Sequence, residues 1–533
     1  MPVFENARFI TCEAEGEVFS KMAAGADGRI LWLGDDLPAE YASMPRIDLG
    51  GAVAVPAFGD THMHFESFST FENTFNISDA HSFDEAAAIV RTYAEAHPRE
   101  KLLIGFGACG HLVREGRLPN REDLDRWATR PLIIVKYDGH AAVCNSAMMS
   151  FFSSKVTDDP GFHADGWLYQ SAFYNGVNEV TAKLSPLSIV GGLSKGAAAL
   201  TAAGIGLVHA VEGVGYPRDM DVDMLRMLEG GLPQTFRIFF QTMDVSKVLK
   251  RRMKRIGGCF ELALDGCFGS EDAALLAPYT NNPDNRGVLN YTQEQVNAFA
   301  IAANRAGLQI TMHAIGDAAV EQCITAYEAA LADLPRPDHR HIMIHCCMVS
   351  PSQLDRIAAL GLCLAVQAPF IDWAQEPDRY LREILGDRAD GLNPLRSMWD
   401  RGIVIADGSD APCTRPDPIR GMHLAVNHPN PAQRLTPYEA LLMRTRNAAW
   451  LGFDERDRGT LAPGKRADFT LLDADPLTIP PQSIGDIRVT GLYLRAPHTP
   501  AGRRRGPRDP QGAGRRQVPQ VSRSILLKGG RFP

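Results

Sequence analysis

Residues 54–64 read Ala54-Val-Pro-Ala-Phe-Gly-Asp-Thr-His-Met-His64, an apolar, strand-like stretch that ends in two histidines one residue apart. Alternate side chains of a strand point to the same face, so this spacing aims the imidazoles of His62 and His64 at one point. An isolated pair of this kind is usually no more than two polar residues at a strand end. The interpretation as a pair of metal ligands therefore depends on what the rest of the chain places beside it.

Four apolar segments further along the chain also contain a residue that can bind a metal ion. These residues are Glu261 in 259–266, His313 in 309–313, His345 in 341–345 and Asp410 in 403–410. Four imidazoles and two carboxylates suit a divalent first-row ion such as Zn, Mn or Fe(II). Because the set contains no cysteine, it favours an open catalytic site over a closed structural one.

Length and composition are those of an ordinary globular protein. The chain has 533 residues, 45% of them apolar and 22% charged, which is enough for a large barrel with accessory parts. The net charge of -8 and the pI near 6.0 give no reason to expect nucleic acid or an anionic membrane. Ten cysteines without CxxC pairs fit buried thiols in a reducing compartment. With no leader-like or membrane-spanning apolar run, we expect a cytoplasmic location.

Strand-like segments recur along the middle of the chain, and from residue 205 several are followed by helix-like stretches. Buried strands joined by helices predict a parallel sheet, and eight such units close into a (β/α)8 barrel of TIM type. A doubly wound open sheet is the competing architecture, but no GxGxxG or GxxxxGK[ST] motif opens a helix. The eight predicted barrel strands are 53–58, 205–211, 236–241, 259–265, 308–313, 341–345, 361–367 and 402–407.

The remaining segments complete the predicted organisation. Strand candidates at 101–106 and 131–137 fall in an insertion after the first barrel strand, and short strand-like pieces near both chain ends predict one small β-sandwich. The tail is rich in Pro, Gly and Arg and cannot bury a core. The predicted parts are 1–55 and 456–496 for the sandwich, 56–72 and 197–455 for the barrel, 73–196 for an inserted segment that covers the pocket, and 497–533 for a basic, disordered tail.

In this register the candidate ligands fall at the carboxyl ends of strands one, four, five, six and eight, where barrel enzymes build their active sites. One ion would use His62, His64 and Asp410, and a second would use His313 and His345. Glu261 would bridge the two ions through its oxygens. Water bound to such ions loses its proton near neutral pH and becomes a hydroxide nucleophile. Asp410 would orient this nucleophile as a base and then return the proton to the leaving nitrogen.

Seven motifs between about residues 5 and 495 carry a resemblance to a known family. They are PAFGDTHMH at 56–64, DGHAAVCNS at 138–146, ELALDG at 261–266 with ALLAPY at 274–279, HAIGD at 313–317, RHIMIH at 340–345, GSDAP at 408–412 and GTLAPGKRAD at 459–468. Through them the chain resembles the amidohydrolase superfamily, and within it the YtcJ-like branch (amidohydrolase family 3) that includes N-substituted formamide deformylases. The resemblance implies a metal-dependent hydrolase whose metal centre is held by His62, His64, His313, His345 and Asp410.

Two positions need separate comment in the light of this resemblance. Many family members have a lysine, carboxylated to form a bridge, at the position of Glu261; a bridge by the glutamate itself and a site with a single ion both stay open. His140 resembles a family position whose imidazole reaches toward the substrate and is a candidate catalytic residue, with a turn or capping role as the alternative. Asp265 and Asp317 are expected to cap helices or to orient ligand histidines.

The function that we predict is hydrolysis of a linear amide, such as an N-acyl or N-formyl amine, by metal-activated hydroxide. Opening of a cyclic imide or lactone and deamination of a heterocycle use the same metal geometry and remain alternatives. A small-molecule amide substrate is the expected partner, with no nucleic acid and no membrane, and a homodimer is left open. The aromatic residues Phe65, Phe68, Trp167, Tyr169 and Trp373 either form a wall for an apolar substituent or pack in the core.

Overall fold

The middle of the chain forms a nearly closed barrel of eight parallel strands, which confirms the predicted (β/α)8 fold. The structure is a computed structural model and describes residues 1–494. In chain order the barrel strands are β1 Phe58–Met63, β2 Ile205–Glu212, β3 Thr235–Phe240, β4 Arg255–Ala263, β5 Gln309–Ala314, β6 Ile342–His345, β7 Cys363–Val366 and β8 Ile405–Asp407. The predicted tail at 497–533 lies outside the described residues.

Helices cover the outside of this barrel and connect consecutive strands. The strands are almost wholly buried, as a parallel sheet with helices against it requires. The helix Pro351–Leu360 begins with a capping box, in which the Ser350 side chain accepts from the Gln353 N–H and the Gln353 side chain accepts from the Ser350 N–H. The principal helices are Phe65–Phe71, Pro186–Ala202, Met220–Leu228, Val245–Lys250, Gln293–Arg305, Asp317–Asp333, Pro351–Leu360, Asp378–Leu385, Leu395–Trp399, Pro418–Val426, Pro437–Arg444 and Arg446–Leu451.

The barrel closes at a seam between β8 and β1 that is made just beyond the strand ends. The Asp410 N–H donates to the His62 carbonyl at 2.8 Å, and the His64 N–H donates to the Ala411 carbonyl at 2.9 Å. The Ser409 N–H donates to the carboxylate of Asp60 at 3.0 Å. The segments that close the barrel are therefore the segments that carry three of the predicted metal ligands.

The first barrel strand differs from its predicted position at 53–58. It is Phe58–Met63, whereas Val53–Pro56 is the end of a longer strand, Arg46–Pro56, which pairs with Phe469–Leu472 in another sheet. The run from Ala52 to Met63 passes directly from one sheet into the next with only Ala57 between the two strands. Periodicity does not separate two consecutive buried strands, so the boundary was not visible in the sequence.

Strands from the two chain ends join in one sheet of seven strands beside the barrel, as predicted in outline. Its aromatic core brings Phe4 within 5.1 Å of Phe469 and 4.7 Å of Tyr493, measured between ring centroids. Packing of this kind fixes the C-terminal strands against the first strand of the chain. The strands are Val3–Ile10, Val18–Phe19, Lys21–Ala24, Ile30–Gly34, Arg46–Pro56, Phe469–Leu472 and Val489–Tyr493.

A third sheet of five strands is inserted between β1 and β2. Its strands are Phe75–Asn76, Leu103–Ala108, Leu132–Lys136, Ala141–Cys144 and Trp167–Tyr169, and its helices are Phe83–Ala96, Arg121–Trp127, Ser146–Met149, Ser154–Thr157 and Gln170–Thr181. The hairpin between the third and fourth of these strands carries His140 to the mouth of the barrel. Among residues 1–494, no helix combines the length and the apolar character needed to cross a bilayer.

Candidate metal centre

Side chains from β1, β6 and the segment after β8 converge at the carboxyl end of the barrel. The Asp410 Oδ1 atom lies 3.0 Å from His62 Nε2 and 3.4 Å from His64 Nε2. The ring of His345 lies 5.5 Å from that of His62, and the ring of His313 lies 4.6 Å from that of His345. Five of the six predicted ligands are therefore neighbours, as parallel strands that end at one rim should place them.

His345 and Asp410 have backbone conformations that residues other than glycine seldom adopt. The φ angle is +70° at His345 and +55° at Asp410, both in the left-handed region. The surrounding hydrogen bonds hold them there, including the seam bond from the Asp410 N–H and a bond from the Cys346 N–H to Ala314 at 2.9 Å. Strain of this kind is retained where the direction of a side chain matters, as at a binding site.

Buried polar groups contact the two histidines on β5 and β6. The His345 Nδ1 atom lies 2.6 Å from Gln367 Oε1, and the Gln367 amide donates to the Ala365 carbonyl at 3.1 Å, so its oxygen is the acceptor. This places the proton of His345 on Nδ1 and leaves Nε2 to act as a ligand. The Asp265 carboxylate lies 3.2 Å from His313 Nδ1, a contact between charged and polar groups that does not have the geometry of a hydrogen bond.

Burial controls the protonation of this group. It lowers the pKa of His313 to about 3 and the pKa values of His64 and His345 below the ordinary range, with neighbouring imidazoles adding to the effect. These imidazoles are therefore neutral near pH 7 and carry the lone pair that a metal needs. Burial also raises the pKa of Asp265 to about 7, although that carboxyl accepts three backbone N–H bonds.

A buried arginine ties the two seam strands together beneath the ligands. The guanidinium of Arg444 is fully buried and lies 2.7 Å from Asp407 of β8 and 3.8 Å from Asp60 of β1. Asp60 in turn accepts from the N–H groups of His62 and Ser409. Each ligand-bearing segment is thus anchored to a charged group below it, which fixes the spacing between His62 and Asp410.

The structure corrects the prediction that Glu261 bridges two ions. Its side chain is exposed and accepts from the Met243 N–H at 2.9 Å, in a separate surface cavity that it shares with Tyr174 and Tyr291. The reason is a bulge in β4. Gly258 pairs with Met312 and Ala263 with His313, so the four residues between them stand opposite no residue of β5. A regular strand would have aimed Glu261 differently, and the alternation rule fails across such a bulge.

Cys259, the first of these four unpaired residues, has a side chain that reaches the centre. Its Sγ atom lies 3.1 Å from His62 Nε2 and 3.6 Å from His345 Nε2, and the residue is only 3% exposed. Sequence reasoning missed it, because the adjacent glutamate looked like the better ligand. The signal that could have found it is the Gly257-Gly258 pair, which marks the start of a bulge.

The residues present fit a bound divalent metal. The Asp410 Oδ1 atom is buried and makes no hydrogen bond, although two imidazole nitrogens lie within 3.4 Å of it. Imidazole nitrogens and a carboxylate oxygen that face one another at this distance without hydrogen-bond geometry are suited to be the donor set of a cation. Two compact groups of donors overlap here, His62 with His64 and Cys259, and His62 with His345 and Asp410.

His140 lies beside this donor set, on the hairpin of the inserted sheet. The centroid of its ring is 6.0 Å from that of His313, and the backbone N–H of His140 donates to the Asp138 carboxylate at 3.2 Å. Asp138 forms a buried ion pair with Lys136 at 2.5 Å, which sequence reasoning had not singled out. Burial opposes ionisation of Asp138, but Lys136 outweighs it and holds the pKa of that carboxyl well below its usual range. The pair fixes the hairpin that presents His140.

A small cavity of about 40 Å³ lies over these residues, with room for an ion and a water molecule. The parallel rings of Phe370 and Trp373, 4.6 Å apart, form one wall, and Glu376 lies beside them. Beyond this wall is a larger cavity of about 390 Å³ that shares these three residues. Of the five aromatic residues considered from the sequence, Trp373 lines the site, Phe65 and Phe68 pack in the barrel core, and Trp167 and Tyr169 belong to the inserted sheet.

Comparison with known proteins agrees with this architecture. The amidohydrolase family matches residues 46–495. YtcJ of Bacillus subtilis (strain 168) is 26% identical over 467 residues, which cover 82% of this chain and 87% of that protein. N-substituted formamide deformylase of Arthrobacter pascens is 24% identical over 543 residues, which cover 92% of this chain and 96% of the deformylase.

Two solved structures are similar over most of their length. An uncharacterized metal-dependent hydrolase from Pyrococcus furiosus superposes with a TM-score of 0.71 at 24% identity, covering 90% of this chain and 100% of that one. A second uncharacterized metal-dependent hydrolase, from Pyrococcus horikoshii OT3, superposes with a TM-score of 0.74 at 22% identity. The match covers 90% of this chain and 99% of that one. These similarities support the barrel and its accessory sheets as one fold.

Proposed function

We propose a substrate and a set of residue roles for this chain on the premise that it belongs to the amidohydrolase family. It is a metal-dependent hydrolase that acts on carbon–nitrogen bonds other than peptide bonds. The finer proposal is that it cleaves a linear N-acyl or N-formyl amine. The observation that carries this proposal is the orphaned Asp410 Oδ1 atom among three imidazoles, with His140 and an apolar wall on the open side.

The metal, when bound, lowers the pKa of water to near neutrality and polarises the amide carbonyl. His62, His64, His313, His345 and Asp410 would hold it, and we propose zinc because neutral imidazoles with one carboxylate suit that ion. Asp410 would take a proton from the attacking water and deliver it to the leaving nitrogen. Its unbonded Oδ1 atom faces the centre, which is where this transfer takes place.

His140 would donate a hydrogen bond to the substrate carbonyl oxygen as negative charge develops on it. Support comes from its position opposite His313 on a hairpin held by the buried Lys136–Asp138 pair. A donor held in place before reaction stabilises the oxyanion without reorganising during the step. Phe370 and Trp373 would contact the apolar substituent of the amine, which extends toward the larger outer cavity.

The experiment that tests this function combines metal analysis with turnover. Purified protein loaded with zinc or manganese is screened against formamides, N-acyl amines, cyclic imides, lactones and aminopurines, with detection of the released amine, acid or ammonia. We expect amine release from a formamide or N-acyl amine. Ring opening, or ammonia from an aminopurine, would instead assign one of the two alternative reactions.

The variant that tests the role of the metal is His62→Ala, which removes an imidazole shared by both donor groups. It should lose bound metal and turnover while the circular dichroism spectrum stays that of the parent. His97→Ala, on the exposed end of a helix in the inserted segment, is the control and should keep both. Full activity in rigorously metal-stripped protein would refute the proposed function.

A further inference from the structure

We propose that Cys259 is a thiolate ligand of the metal centre and takes the place that the sequence suggested for Glu261. This inference rests on the proposed metal centre and adds a ligand of different chemistry to it. The Sγ atom lies 3.1 Å from His62 Nε2 and 3.6 Å from His345 Nε2, and each of these histidines also belongs to the donor group that contains Asp410.

The distances match those between ligands of a single ion. Zinc binds thiolate sulfur at about 2.3 Å and imidazole nitrogen at about 2.0–2.1 Å, so tetrahedral donors lie about 3.3–3.6 Å apart. The sulfur–nitrogen distances here fall at 3.1 and 3.6 Å. The distances from Asp410 Oδ1 to His62 and His64, 3.0 and 3.4 Å, are similar. The sulfur is thus spaced from the imidazoles as the carboxylate is.

The backbone around Cys259 is held so that the sulfur faces inward. The Cys259 N–H donates to Gln241 Oε1 at 2.9 Å, and the Gln241 amide donates to the Val211 carbonyl at 3.2 Å, which ties β4 to β3 and β2. Gly258 packs so closely on Gln241 that a Cβ atom there would lie 2.3 Å from its Cγ. A cysteine that merely filled the core would not need this anchoring at the rim of the barrel.

Cys267 also lines the cavity but has different surroundings. The Cys267 sulfur donates to Asp138 at 3.2 Å and so belongs to the Lys136–Asp138 pair. Within residues 1–494, the sulfur of Cys267 makes no hydrogen bond to an imidazole, so its replacement by serine should leave the histidine cluster unchanged. Cys267 is therefore the matched control for the test.

The test uses cobalt(II) added to metal-free protein under anaerobic conditions. Thiolate ligation gives an intense sulfur-to-cobalt charge-transfer absorption in the near ultraviolet, while the weaker visible bands report any bound cobalt. We expect both in the parent and in Cys267→Ser. Cys259→Ser should lose the charge-transfer band and keep the visible bands.

The possible results separate this proposal from the proposed function. Visible cobalt bands without charge transfer in the parent, or charge transfer that survives in Cys259→Ser, would overturn the role of Cys259 and leave the metal centre standing. Failure of the parent to bind cobalt at all would reject both. As a second readout, Cys259→Asp should lower the ratio of cadmium to manganese affinity by about tenfold or more, since soft ligands favour soft ions. An unchanged ratio would also count against the thiolate.

Discussion

His140 reaches the candidate metal centre from a different sheet than the five proposed ligands that surround it. The ligands come from barrel strands, whereas His140 comes from the hairpin between Leu132–Lys136 and Ala141–Cys144. Its backbone is fixed by the buried Asp138 carboxylate and, through it, by Lys136. A residue that approaches from above the rim can contact substrate without contributing to metal affinity.

Replacement of His140 by alanine should therefore separate catalysis from metal binding. We expect kcat/KM to fall by about 10²–10³, the usual cost of removing one oxyanion donor, while the metal content stays that of the parent. Steady-state kinetics and atomic emission on the same preparation make the comparison. His163→Ala, elsewhere in the inserted segment, should change neither. If the His140 variant lost metal in proportion to activity, the imidazole would be a ligand instead.

At this scale the sequence was informative where side chains follow strand geometry. The one-residue spacing of His62 and His64 and the strand ends at His345 and Asp410 predicted neighbours that the structure brings together. The prediction for Glu261 was wrong because this residue lies inside the β4 bulge. There the alternation of side chains no longer indicates which of them face the centre of the barrel. Motif spacing predicts which residue types form a site, but a bulge in a strand changes which of its side chains points into that site.

The β4 bulge begins at Gly257, whose conformation no other residue type adopts easily. Its φ angle is +104°, and a Cβ atom there would lie 1.9 Å from the Thr311 carbonyl oxygen of β5. This glycine lets β4 approach β5 closely and then leave the regular ladder after Gly258. The four unpaired residues that follow, 259–262, include Cys259, whose sulfur faces the imidazoles of His62 and His345.

Gly257→Ala should consequently destabilise the protein by about 3 kcal/mol or more, because backbone strain and a steric clash add. Gly307→Ala is the control. Its φ angle is +73° with nothing within 4 Å of the added Cβ atom, so only the strain remains, about 1 kcal/mol. Thermal and urea unfolding compare the two. Equal stability of the variants would mean that β4 is not held against Thr311.

Some boundaries of helices and strands can be predicted from the sequence pattern, and others cannot. A helix start such as Ser350 can be recognised in a sequence, because a capping box has a local chemical signature. The break between Arg46–Pro56 and β1 was not, since both strands are buried and only Ala57 separates them. Only the pairing with Phe469–Leu472, more than 400 residues away, assigns the first of them to the other sheet.

At the scale of the whole molecule, three buried carboxyl groups, those of Glu66, Glu212 and Asp221, lie together near the ends of β1 and β2. The Glu66 N–H donates to Glu212 at 3.2 Å, and Asp221 accepts from the Gly213 N–H at 2.6 Å. Burial raises the pKa of Glu66 to about 8 and that of Asp221 to about 7, and it raises the pKa of Glu212 well above its ordinary value, with Asp221 adding to that shift. The folded protein keeps these protons at pH values where the unfolded chain has lost them.

These three carboxyl groups should therefore contribute progressively less stability as pH rises from about 4 through 8, since they bind more protons in the folded protein than in the unfolded chain across that range. Asp221→Asn cannot ionise and should escape this loss, gaining about 2 kcal/mol over the parent between pH 5 and 8. Unfolding midpoints of both proteins across this range give the difference in their stability. The histidines titrate equally in both proteins, so their contribution does not appear in that difference. Asp223→Asn, on the exposed side of the same helix, is the control. A pH-independent difference would show that Asp221 is ionised when folded.

The seam between β8 and β1 has a consequence for how this enzyme acquires its ion. Asp60 and Ser409, which meet there, are 349 positions apart in the chain. A ribosome therefore releases the first two histidines long before the aspartate that completes their donor group, and a nascent chain offers cations only a loose, partial ligand set. If these residues hold the ion, we expect the complete site to form only after synthesis has passed the last strand.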